Sequence, residues 1–113
     1  MILALIPKPS SVETLLNNLQ EADFDLASVS VILRDQQLRN QIAQDAGPLK
    51  GVVASGLVKK LIALGLSKPD AQAYADGVTK GQALVAMTSP QESQAAAIEM
   101  FKDYDPQLLK VLG

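Results

Sequence analysis

Residues 74–87 read YADGVTKGQALVAM, and the two glycines around Lys80 pose a choice between a phosphate-binding loop and a helix-to-strand junction. A phosphate loop places its glycines after a strand, where they feed the positive N-terminus of a helix and its backbone amides meet the anion. Here the order is reversed. The preceding segment SKPDAQAYADGVTK begins with Ser67, carries Pro69 early and Asp70 at capping-box spacing, and sets Ala71, Tyr74, Ala75 and Val78 on one helical face. The helix ends at Thr79 or Lys80 and the apolar strand QALVAMTS follows, so an anion would face the carbonyl end of the helix dipole. Gly81 reads as the left-handed residue that terminates the helix, and Tyr74, Gly77 and Gly81 as a structural helix–strand junction.

Working outward, the short apolar run Ile2 to Ile6 stops at Pro7 and suits a buried strand. SSVETLLNNLQEA opens with Ser10 and has Glu13 three residues on, and Val12, Leu15, Leu16 and Leu19 share one face, which predicts a helix. ASVSVILR alternates as a second strand. The polar stretch 35–48 reads as a loop with one short helix. Leu49 to Leu64 carries an apolar arc of Val53, Leu57, Leu61 and Leu64 that predicts a buried helix, joined to the Ser67 helix by a turn at Gly65. Ser89 and Pro90 start a helix running to about Lys102, and QLLKVL supplies the last strand.

The order strand, helix, strand, helical insert, strand, helix, strand predicts an α+β chain: a ferredoxin-like split β-α-β arrangement with a four-stranded antiparallel sheet. A two-helix insert, about residues 36–80, falls between strands 2 and 3, and residues 1–113 form a single domain. The two strands expected at the centre, Ile2 to Ile6 and Ala83 to Met87, are apolar on both alternating faces. The insert, a second subunit, or both must cover the second face. Because one subunit has more apolar sheet surface than two helices can cover, a homo-oligomer, specifically a dimer, is expected.

Composition narrows the chemistry. In a chain of 113 residues, 48% hydrophobic content suffices for one core, and ten basic against twelve acidic residues leave no positive excess for nucleic acid. Without cysteine or histidine, the chain has no thiol or imidazole chemistry, and no catalytic, cofactor-binding or metal-binding residue is assigned. The expected central strands have no aromatic on which RNA bases could stack. The N-terminus is apolar for six residues before Pro7, too short for a membrane span, which makes a cytoplasmic location the expectation.

Gly47, Gly51 and Ser55 recur at four-residue intervals with Gly56 beside them, a spacing that lets a helix pack closely against another element or subunit. The pairs Asp23/Asp25 and Asp103/Asp105 flank expected turns, where aspartate commonly bonds local backbone.

Taken together, GVVASGLVKKLIALGL, SKPDAQAYADGVTKGQALVAM and the alanine-rich SQAAAIEMF resemble the bacterial general stress or heat-induced stress proteins, with the specific part of the likeness in residues 64–87. The family's small-residue segment is commonly richer in glycine, and the N-terminal strand here is followed by PKPSS instead of the usual turn. The resemblance implies a ferredoxin-like α+β fold and a stress association, with no defined reaction. The expected function is a non-enzymatic self-association or protein-interaction module. The alternative is a regulatory module that binds a small molecule at the insert or a subunit interface.

Overall fold

The computed structural model describes residues 1–34, 46–52 and 54–112. It is an α+β structure with four strands, β1 (Ile2–Ile6), β2 (Val29–Ile32), β3 (Ala83–Met87) and β4 (Gln107–Val111), and, among the described residues, four α-helices. These are α1 (Val12–Glu21), α2 (Leu57–Ala63), α3 (Lys68–Thr79) and α4 (Gln94–Lys102). The sheet is antiparallel in the order β2-β3-β1-β4, so β3 separates the two strands that flank α1 in the chain. The two fully apolar strands, β1 and β3, are its centre.

Strand alternation sends side chains to opposite faces, and each face has its own core. Ile2, Ala4, Ile6, Val85 and Met87 meet Val12, Leu15, Leu16 and Leu19 of α1 and Ala97 and Phe101 of α4. On the other face, Leu3, Leu5, Ile32, Leu84 and Ala86 meet Leu57 and Leu61 of α2 and Ala71, Tyr74 and Val78 of α3. Two helices, α1 and α4, lie on one face, and the insert covers the second. The apolarity of β1 and β3 is thus satisfied within one chain, so of the covers the sequence left open the insert is the one observed, and apolar sheet surface gives no argument for a second subunit.

The insert also departs from the expected continuous helix over 49–64. Gly47–Leu49 and Ala54–Gly56 are 3₁₀ turns, and α2 begins only at Leu57. Lys50 is extended (ψ 131°) and Gly51 has φ +76°, a left-handed conformation that stops a right-handed helix from propagating. The apolar periodicity of 57–64 is real, but it extends for only two turns. Most of the polar stretch, residues 35–45, lies outside the described residues, and with it the expected short helix.

Helix ends follow from local chemistry. Gly81 (φ +97°) follows the last residue of the α3 cap, Lys80, with Gly81 N–H donating to Val78 O and Gln82 N–H to Gly77 O, both at 3.0 Å. That pairing is the Schellman arrangement. Gly65 (φ +112°) closes α2 the same way. Asp23 (φ +67°) takes the left-handed place after α1, and the Asp25 carboxylate accepts from Ala27 N–H at 2.9 Å. At α1 the expected Ser10 cap is replaced by Ser11, without a side-chain hydrogen bond, because Pro9–Ser11 forms a 3₁₀ turn ahead of the helix.

Candidate functional site

The distinctive polar features of the molecule converge where α3 crosses β4. Ser67 caps α3, its hydroxyl accepting from Asp70 N–H at 3.4 Å. Asp70, Tyr74 and Gly77 then form one stripe down the helix, as spacings of four and three residues require. Lys110 of β4 pairs with the Asp70 carboxylate. One turn on, the Tyr74 hydroxyl donates to the Leu108 carbonyl. At Gly77 the bare backbone of α3 faces side chains from β1 and the α3–β3 turn: a Cβ would sit 2.4 Å from Leu5 Cδ1 and 2.9 Å from Gln82 Oε1. Helix propensity alone would make alanine at position 77 tolerated or mildly stabilising unless a neighbour packs against the bare backbone, and Leu5 is such a neighbour.

Electrostatics agree with the geometry. The hydrogen bond from Lys110, with help from Ser67 and the Lys110 charge, holds the Asp70 carboxyl below its usual range. Burial, and secondarily the Asp70 charge, pushes the Tyr74 phenol up to about 12. Tyr74 therefore stays protonated at any ordinary pH and remains the donor that its bond to Leu108 demands. At the far end of α3, Arg34 donates to the Thr79 carbonyl at 2.6 Å, a cation where the helix dipole favours one.

Leu108 is the unusual residue of this site. Between β1 and β4 the pairing runs Leu5↔Gln107 and then Leu3↔Lys110, so β4 carries one extra residue opposite β1. The bulge places Leu108 at φ +52°, a conformation that glycine normally supplies at such a position, and leaves its side chain 50% exposed. Val111 is 42% exposed on the same strand. Beside Leu108 run two adjoining hollows of about 330 and 350 Å³ that share Ala73 and Leu108. β4 is a sheet edge. Met1 and Leu112 exchange both backbone hydrogen bonds, at 2.7 Å each, which fixes the alternation of the ladder. Val111, opposite Ile2, and Leu109, two residues before it, therefore turn their N–H and C=O groups away from β1 toward the open side.

A second cleft, of about 540 Å³, lies at the end of the sheet between the α1–β2 turn and the start of α4, lined by Asp23, Asp25, Ser28, Thr88, Ser89 and Ser93. Ser89 Oγ is buried and has no hydrogen-bond partner among the described residues. The Asp25 carboxylate there is engaged by Ala27 N–H, and Asp23 serves the turn through its left-handed backbone.

Of the small residues singled out in the sequence, the structure brings only Gly47 into close packing. A Cβ at Gly47 would lie 2.8 Å from the Ser28 carbonyl and 2.9 Å from Ser30 Oγ, so Gly47 presses on the start of β2 and the residue before it, and buried Ser30 pins the segment by donating to Ala46 O and accepting from Leu49 N–H. Gly51 and Gly56 face open space and Ser55 is exposed, so these residues form no common helical stripe. Sequence reasoning found Tyr74, Gly77 and Gly81 but missed Asp70–Lys110 and Leu108. The Asp70 to Tyr74 spacing was legible, whereas the bulge that turns Leu108 is a register effect with no residue signature. Among the described residues, no three acidic side chains gather as a metal site, and no helix is long and apolar enough to cross a membrane. Comparison of the chain with models of known families, with curated proteins and with solved structures finds no match.

Proposed function

We propose that this chain is a small, cytoplasmic, stress-associated protein of ferredoxin-like fold that acts by self-association rather than by catalysis. The family resemblance of residues 64–87 supports the stress assignment, and α1 and α4 on one face of a four-stranded antiparallel sheet support the fold assignment. The observation that carries the functional reading is the β4 edge, open among the described residues: both sheet faces are covered, while β4 exposes Leu108 and Val111 beside outward-facing backbone groups. Unpaired edges of this kind template the addition of another strand.

A small-molecule site in the hollows along α3 is the weaker reading, because Asp70, Tyr74 and Lys110 direct their polar groups at one another and at Leu108. Light scattering during size-exclusion chromatography tests the proposal. The expected result is a mass that rises with concentration in the wild type and stays at that of one chain in Val111→Lys. A monomer throughout the concentration range would overturn it.

A further inference from the structure

We infer that β4 pairs antiparallel with β4 of a second copy about a two-fold axis at Lys110, joining two four-stranded sheets into one. The inference rests on the self-association reading and specifies its register. The groups turned outward are those of Leu109 and Val111. Antiparallel strands satisfy such groups when two residues exchange both N–H···O=C bonds, and bonded pairs alternate with unbonded ones. The alignment that uses both residues sets Leu109 opposite Val111 of the second copy and the reverse, forming about four backbone hydrogen bonds, with Lys110 facing its counterpart as the unbonded central pair.

Side-chain chemistry fits the same register. Leu109 packs on the core that contains α1 and α4, and the exposed Val111 follows it two residues on along the strand. The pairing therefore brings an apolar Leu109–Val111 contact to each side of the axis. On the opposite face, facing lysines would repel if they were free. Each is already paired with Asp70, so the axis gathers two lysines and two carboxylates with no net charge. The arrangement is complementary to itself, which is what a two-fold interface requires. The bulge at Leu108 precedes the paired stretch and does not interrupt it.

The chain contains no cysteine, so a single introduced thiol reports the register. Facing residues of an unbonded antiparallel pair have Cα atoms about 4.5 Å apart, within disulfide range. Under mild oxidation Lys110→Cys is expected to become mostly disulfide-linked dimer, while Lys102→Cys, exposed on α4, stays largely monomeric. Because Lys110→Cys also removes the ion pair, a second arm uses charge reversal. Asp70→Lys should weaken the association at least several-fold, and Asp70→Lys with Lys110→Asp should restore it, with circular dichroism confirming that each variant is folded. A wild-type dimer in which Lys110→Cys fails to cross-link would overturn this register and leave self-association standing. A wild type that remains monomeric would overturn both, leaving the edge to a strand from another protein.

Discussion

Replacing Gly77 with alanine sets helix propensity against packing. In an isolated helix the change would stabilise by about 1 kcal/mol, since alanine restricts the unfolded backbone and glycine does not. Here the new Cβ would stand 2.4 Å from Leu5 Cδ1 and 3.0 Å from Cδ2, distances at which something must move. Leu5 is 1% exposed on a central strand, so α3 must lift or the leucine must swing toward the hollow beside Gln82. Overpacking of this kind costs about 1–3 kcal/mol. Subtracting the propensity gain leaves an expected net loss of about 1 kcal/mol, read from urea unfolding as a lower midpoint at unchanged slope. Leu5→Ala removes the clashing methyls, and by itself should cost about 2–5 kcal/mol through the cavity it leaves. In the double variant the two costs should fall short of additivity by about 1 kcal/mol or more, because the alanine at 77 no longer meets the leucine. A Gly77→Ala protein as stable as the wild type or more so, with additive behaviour alongside Leu5→Ala, would refute the close approach of α3 to β1.

Other variants isolate other contacts. Tyr74→Phe removes the bond to the Leu108 carbonyl and should cost about 1 kcal/mol in the same assay. Leu108→Val forces a β-branched side chain into φ +52° and should destabilise by about 1–3 kcal/mol, whereas Leu108→Gly should be close to neutral as relief of strain offsets the lost side chain. Gly81→Val meets the same penalty at φ +97°, again about 1–3 kcal/mol, with no steric neighbour to add to it. Stability should also respond to alkali. The Tyr74 phenol ionises near 10 in the unfolded chain and only near 12 in the fold, so the unfolded state releases its proton first and stability falls between those values. Tyr74→Phe should flatten that limb of a stability–pH curve. The depressed Asp70 carboxyl acts in the opposite direction: its contribution is present above the ordinary aspartate value and is lost on acidification through the lower folded value.

The elements that were legible in the sequence are those whose signals are local. Ser67, Pro69 and Gly81 bracket α3 with cap chemistry, and the two-sided apolarity of β1 and β3 marks the centre of the sheet. The insert departs from the expected helix over 49–64 at its start because apolar periodicity does not reveal that Gly51 adopts φ +76° or that Ala54–Gly56 is a 3₁₀ turn. The cover on the second sheet face was legible only as a need, since composition does not say whether helices of the same chain or of another meet it. The site was half legible. Tyr74 and Gly77 stood out by type and spacing, but their partners are far away in the chain: Leu108 reaches Tyr74 through β4 pairing at the edge with a one-residue shift, and Leu5 of β1 meets Gly77 where α3 packs on the sheet.

Amide hydrogen exchange across a protein concentration series tests the role of the β4 edge most directly. Lys110, opposite Leu3, bonds inward to β1 and should be protected at every concentration, whereas the Leu109 and Val111 amides, turned outward, should exchange fast when dilute and slow together as concentration rises. Exchange at Leu109 and Val111 that stays fast while the protein associates, or protection that builds elsewhere on the surface, would contradict self-association through β4.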